Sequence, residues 1–436
     1  MATCIGETDF PPYVIKCVDD THFLVAGGGG ESKTGVPNAL EIFRVGIGSS
    51  GIAVESKCRY NTDNGDDRSA IMNAAMRFDG KEYLMAAGRN ERCQMYQINK
   101  VVESLIPQTM GREDGDKEEE GKKSKEEEVT LRKRKKKPSE SNGKKKSGPP
   151  SRRELVQFDV KRLQSVQTDF SPTDSSQNAV CFSPNGMYFA TGGVDGHLRM
   201  WTYPTIEKVY DIEAHSKDIE DIIISPLGNK LITISRDQKA YVWNTKDGSK
   251  MCELEWEECA DHKSYRFGCC RYAFLNGDVS NSTMFTTHTP HIQKKGRQPS
   301  YISKWNSHKF TIDKTVCTGD DILSALAVSH SGYYVGVGTM SGSVGIYVTF
   351  SLQKVKWVDN AHSIFITGLS FIPMTKNSRR VIGDKDAAIL SLSADKKIGL
   401  VTVSRSGEYP AILMFLGVFI LIMLALTLFA YFGMDF

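Results

Sequence analysis

The sequence is most informative first in what it is short of. Its ten cysteines are scattered, with Cys269 and Cys270 adjacent, no CxxC pair and no even framework. That excludes a disulfide scaffold and suits free thiols in a reducing compartment. Cys252, Cys259, His262, Cys269 and Cys270 cluster in sequence but lack paired zinc-ligand spacing, so they read as loop and strand residues. No secretory signal is legible: Met1 to Asp9 has neither a basic n-region nor an apolar h-region. There is little excess charge in the body of the chain. The formal net charge is +3, but sixteen basic and ten acidic residues between Arg112 and Arg153 make a local +6, leaving the remainder about −3. A body so close to neutral gives no reason to expect a nucleic-acid partner.

What the chain does have is an internal repeat. An apolar strand, a Ser-Pro-x-Gly-like turn, a second strand, a tight polar turn and a third strand ending in an aromatic or apolar residue recur along it. The pattern is clearest in Val180–Trp201, Ile222–Trp243 and Leu326–Tyr347, and weaker in Ala75–Tyr96, Arg271–Trp305 and Leu369–Val401. Tyr13–Phe43 completes a set of seven units. The turn-to-aromatic spacing recurs in Asp195/Trp201, Asp237/Trp243, Ser341/Tyr347 and Asn90/Tyr96. Seven units of about 40 residues predict an all-β, seven-bladed WD40-like β-propeller. Its cytosolic body is expected over 1–409, and Ala2 to Phe10 is a candidate outer strand for the last blade. His215, Ser235, Asp237 and Trp243 match the hydrogen-bonded tetrad that ties such a blade together. A His-Ser-Asp set also invites a catalytic-triad reading, but the repeat itself explains the spacing. In the last unit His362 and Asp395 recur, with Val401 in place of the tryptophan.

One connection breaks the pattern. Between THFLVAG and ALEIFRV, where a tight turn belongs, stands AGGGGESKTGVPN (Ala26–Asn38). Hairpins normally close with about two to five residues, so most of this stretch must project as an ordered loop. Glycine allows positive φ and close backbone approach, and Pro37 fixes one φ at the exit. Lys33-Thr34 after the glycines superficially suggests phosphate binding, but the GxxxxGK[ST] spacing is absent and a strand follows where a helix should start.

After Gln97-Ile98 the periodicity stops. Residues 103–154, almost without apolar side chains from Met110 on, are expected to be a disordered insertion. Its basic half suits a solvated tether, an attraction to an anionic membrane surface, or a nuclear-localisation or nucleic-acid patch. The absence of interleaved aromatics weakens single-strand binding. At the other end, Ala411 to Phe432 carries no charge and is dominated by Leu, Ile, Met, Phe and Val. Such a stretch at about 1.5 Å per residue spans the roughly 30 Å hydrocarbon core, which predicts a transmembrane helix over 411–432 and a tail at 433–436. Lys396, Lys397 and Arg405 precede it and only Asp435 follows, so the positive-inside rule puts the large domain in the cytosol and the tail in the lumen.

Taken together, these residues resemble the prolactin regulatory element-binding protein family, the endoplasmic-reticulum guanine nucleotide exchange factors that start COPII coat assembly. AGGGGESKTGVPN, QTDFS (Gln167–Ser171), EAHSKDIEDI (Glu213–Ile222) and GTMSGSVGIYVTFSLQ (Gly338–Gln353) carry the resemblance, with the apolar segment standing where the family has its span. The likeness covers all but the charged insert, and the short tail is more like the animal members than the fungal ones. It implies a Sar-type small GTPase as partner, the endoplasmic-reticulum membrane as location, and release of GDP at the start of ER-to-Golgi transport. It further implies that Gly30, Glu31, Ser32, Lys33, Thr34, Gly35, Val36, Pro37 and Asn38 contact the GTPase near its nucleotide. Thr34–Asn38 would form the inserting tip. A potassium ion would order the loop, held mostly by backbone carbonyls, with Gly35 and Asn38 as the named ligands.

No acid–base residue is needed for that activity, because an exchange factor stabilises the nucleotide-free GTPase relative to the bound one. The chain is therefore expected to have no catalytic chemistry of its own. Three other classes are weighed at this level. One is a scaffold that recruits partners without exchange; another is a transcriptional regulator acting through the lysine-rich insert. The third, an enzyme with its substrate in the propeller's central channel, is disfavoured because no carboxylate or histidine constellation stands out.

Overall fold

The computed structural model describes residues 2–31, 35–49, 51–63, 68–105, 153–259, 261–291, 298–405 and 411–431. The inserted residues 106–152 and the loop residues 32–34 lie outside this set, and with them the expectations of disorder and of a GTPase contact at Ser32, Lys33 and Thr34. By its internal contacts the chain divides into a main unit of residues 1–99 and 158–436 and a second unit of residues 100–157.

Among the described residues, twenty-eight strands form seven four-stranded antiparallel sheets, the seven blades expected. Blade 1 runs Pro12–Cys17, His22–Gly27, Ala39–Gly48 and Gly51–Asn61. Blade 2 runs Asn73–Phe78, Tyr83–Arg89, Arg92–Leu105 and Arg153–Gln167, so the charged insertion joins its third and fourth strands. Blades 3 to 6 follow in chain order, with strands lying within Gln177–Glu213, Ile219–Glu253, Tyr265–Gly319 and Leu323–Val358. The middle strands are the more buried ones; every residue of His22–Gly27 is buried, whereas Gly51–Asn61 at the rim has none that is. The core lies between blades, where apolar faces of neighbouring sheets meet.

Blade 7 is assembled from both ends of the chain. Ile366–Phe371, Lys385–Ser393 and Lys397–Ser404 supply three strands, and Thr3–Glu7 supplies the fourth, in register Thr3 with Leu400 and Glu7 with Lys397. Ile5 and Phe10 then pack into one cluster with Phe23 and Phe43 of blade 1 and Leu390 and Leu400 of blade 7. The N-terminal strand thus covers the edge on which the ring would otherwise stay open.

The blade 4 tetrad needs one correction. His215 Nδ1 contacts Asp237 at 3.0 Å, but its Nε2 contacts Thr233 Oγ1 at 2.7 Å, and the same hydroxyl accepts the Trp243 indole N–H at 2.9 Å. Thr233, not Ser235, is the bridging member. Ser235 instead donates to the Lys217 carbonyl and accepts the Asp237 N–H. The two residues are neighbours on one face of a strand, where side chains repeat every second position. In blade 7, Ser391 fills the Thr233 role against His362, and Asp395 holds the other ring nitrogen.

Beyond the last blade, Ala411–Tyr431 is a helix. Its described side chains, from Leu416 to Leu428, are exposed all round. Among the described residues no helix is long and apolar enough to cross a membrane, the side chains at both ends of 411–431 lying outside them.

Candidate functional site

In an antiparallel meander, the connections from second to third strand share a face with the connections between blades. The glycine loop is therefore on the face that carries the blade 1–2 connection, and it is fastened to that connection. Asn38 is the fastener. Its side-chain Oδ1 accepts the Gly30 N–H at 2.9 Å, while Nδ2 lies 3.1 Å from the Gly30 carbonyl, 2.8 Å from Asp63 Oδ1 and 2.5 Å from the Arg68 carbonyl. Its backbone carbonyl accepts the Thr62 N–H at 2.9 Å.

The two arms of the loop run close together because glycine permits it. Gly28 has φ 149°, and a methyl group there would collide with Asn38 Oδ1. At Gly29 a Cβ would stand 2.8 Å from that of Val36. Val36 itself leans back against the cluster between blades 1 and 7. Glu31, on the rising arm, accepts the side-chain amide of Asn90, which sits in the second-to-third turn of blade 2.

This geometry revises the expected tip. Asn38 is only 2% exposed and Val36 is part-buried, so Val36–Asn38 form the base of the loop rather than its end. The described residues that face solvent are Glu31 and Gly35, on either side of 32–34. Sequence reasoning missed the bracing residues Asp63, Arg68 and Asn90. The only trace of the first two was a second long polar connection at residues 61–68.

For the expected potassium ion the donors in question are backbone carbonyls. The Asn38 amide oxygen is taken by Gly30, so an ion would meet main-chain carbonyls. Gly35, in the left-handed region at φ 77° with open space around it, and Asn38, whose carbonyl oxygen has a second lone pair, supply oxygen donors of that kind.

The other candidates resolve into structure. Cys269 faces the central channel, Cys270 faces the core between blades 4 and 5, and burial pushes both thiols up, Cys269 to about 12. Buried thiols so hard to ionise are poor nucleophiles and ligands. Burial likewise holds His215 below its usual range, which fits a neutral ring bridging Asp237 and Thr233.

A closed seven-bladed ring with a clamped, glycine-rich loop rising from its first blade defines a WD40-type propeller. Residues 164–202 and 206–244 match the WD domain, G-beta repeat, each match running from the last strand of one blade through the third strand of the next. Over 421 residues the chain is 32% identical to the guanine nucleotide-exchange factor SEC12 of Mus musculus, covering 93% of this chain and 92% of that protein. The same protein of Rattus norvegicus is 32% identical over 413 residues, with equal coverage. SEC12-like protein 2 of Arabidopsis thaliana is 23% identical over 237 residues, 54% of each chain. The chain belongs to the SEC12 family of guanine nucleotide-exchange factors.

Proposed function

We propose that this protein promotes GDP release from a Sar-type small GTPase at the endoplasmic-reticulum membrane, and so starts COPII coat assembly, through the clamped loop of blade 1. The observation that carries this reading is the lock between Asn38 and Gly30, which joins the two arms of the glycine-rich segment at its base. Exchange requires binding energy that favours the nucleotide-free GTPase. A loop whose base is already fastened helps deliver it, because less is lost in ordering it on contact.

The GTPase would dock on the loop's face. An arc of exposed apolar side chains flanks the loop there, with Met72 and Phe170 on one side and Met340, Ile364 and Phe365 on the other. Phe170 is held in place by the Arg199 guanidinium, 4.9 Å from its ring centre. Glu31 and the residues at 32–35 would reach the nucleotide side, while Val36, Pro37 and Asn38 anchor them. Potassium bound by the carbonyls of Gly35 and Asn38 would add a charged brace at the base, where the Asp63 carboxylate stands beside the Asn38 amide.

The helix at 411–431 supports membrane attachment. Twenty-one residues at about 1.5 Å each come to the thickness of the roughly 30 Å hydrocarbon core. Its described apolar side chains are exposed on every side, Leu421 at 68% and Phe419 at 62%, which suits lipid rather than water. Lys396, Lys397 and Arg405 on its N-terminal side would keep the propeller in the cytosol.

The test is GDP release from a Sar-type GTPase on vesicles carrying the full chain, in potassium and then in sodium. Faster release with the protein present, and faster in potassium than in sodium, supports the reading. No acceleration in either salt overturns it. Extraction of the chain from membranes by alkaline carbonate would contradict the anchor.

A further inference from the structure

The first strands of the seven blades surround a central channel of about 660 Å³. Its lining is not neutral. Lys16 projects from blade 1, Arg77 from blade 2 and Arg271 from blade 5, against the carboxylates of Glu220 and Asp221 from blade 4. Both carboxylates are already engaged. Glu220 lies 2.8 Å from Arg236 and 2.9 Å from Arg266. Asp221 accepts Arg271 at 2.6 Å and the Cys270 N–H at 2.8 Å. Arg77 donates to the neutral Gly186 carbonyl. The Lys16 ammonium makes no hydrogen bond or ion pair with any described residue.

A part-buried ammonium group with no hydrogen-bonding or ion-pair partner is held at a cost; the Arg271 charge adds to it and the more distant Asp221 carboxylate offsets part of it. Burial, with Arg271 as the second cause, pushes the Lys16 ammonium down to about 8. A group in this state gains from any anion that can reach it, and the channel supplies both volume and access. Pockets of roughly 300–1,000 Å³ are the size that small ligands occupy. Arginine adds a planar fork suited to phosphate oxygens, and only one of its terminal nitrogens is used by Asp221 and the Cys270 carbonyl.

We propose that the central channel binds a small polyvalent anion of the phosphate class, with Lys16 and Arg271 as its direct contacts. The site is separate from the glycine loop and independent of the exchange reading. A divalent tetrahedral anion would satisfy Lys16 and pair with the unshared nitrogens of Arg271 while leaving the Arg271–Asp221 pair intact. It would also tie the first strands of blades 1 and 5 across the ring, so that its binding is read as resistance to unfolding.

The experiment is thermal unfolding of the full chain in detergent, with inorganic phosphate titrated against sodium chloride at matched ionic strength. The wild type should show a saturable rise in midpoint of roughly 2 °C or more. Lys16→Met should unfold no earlier than wild type in chloride, since it removes an unpartnered cation, and should lose the phosphate increment. Lys16→Gln, which keeps a polar group, serves the same comparison should the methionine variant fail to fold. Pyrophosphate should match or exceed phosphate, and citrate should give less. No increment in the wild type up to tens of millimolar phosphate overturns the proposal. So does an increment kept in both Lys16 variants, and a citrate effect larger than that of phosphate overturns the assignment of class.

Discussion

Asn38 and Gly30 hold each other through both polar groups of one side chain, the Asn38 amide oxygen accepting the Gly30 N–H at 2.9 Å and the amide nitrogen reaching its carbonyl at 3.1 Å. The pair closes the loop at its base and, through Asp63 and Arg68, ties it to the next connection on the same face. Asn38→Asp keeps the shape but removes the donor and sets a second carboxylate beside Asp63. A buried group left without its partner costs about 1–3 kcal/mol. Hydrogen exchange should show the amides of residues 28–31, 36 and 38 losing protection while the strands of blades 3 to 6 keep theirs. Equal protection in the variant would contradict the clamp.

The loop glycines should differ in tolerance in a definite order. Gly28→Ala is the severe change, because the new methyl meets Asn38 Oδ1 at a backbone angle that favours glycine. Gly30→Ala meets open space and carries only the strain of φ 71°, about 1 kcal/mol. Gly46→Ala, open on all sides without positive φ, serves as the neutral comparison. Thermal midpoints of the three variants check the order.

Thr233→Val should destabilise blade 4 more than Ser235→Ala does. The first leaves the buried His215 Nε2 and the Trp243 indole N–H without their shared partner, a loss of about 1–3 kcal/mol. The second removes contacts from a buried hydroxyl to the Lys217 carbonyl and the Asp237 N–H, and both of those partner residues reach solvent. Chemical denaturation midpoints compare them.

Acid should weaken the ring through His288, which is 1% exposed, stacked on Trp256 at 4.3 Å and bonded to Thr286. Burial holds its ring well below the usual histidine range. The unfolded chain therefore takes up the proton near pH 6.5, before the folded protein does. The stability associated with the neutral ring is full above that pH and is lost progressively as pH falls below it. His288→Gln should flatten the decline in thermal midpoint between about pH 6.5 and 5; an unchanged slope would place the effect elsewhere.

Much of this architecture was legible in the sequence because a propeller repeats itself. Asp195/Trp201 and Asp237/Trp243 expose the period, and the apolar Cys4–Ile5 region fits the last blade's need for an outer strand. Two details were not legible, for one reason: sequence gives the strand or loop but not the partner across space. Thr233 and Ser235 share a strand face, so either could bridge His215, and only the placement of the indole decides. Asn38 follows a proline at the end of a loop, a position compatible with a tip or with a base. It is the base because residues 62–68 of another connection offer its amide two acceptors.

The most direct measurement of the central claim is the rate of GDP release from a Sar-type GTPase, compared between the full wild-type chain and Asn38→Asp at equal folded concentration on the same vesicles. The expected result is acceleration by the wild type and a fall of about tenfold or more in that acceleration for the variant, with the propeller still folded. An Asn38→Asp protein that releases GDP as fast as the wild type would contradict the clamped loop as the working part.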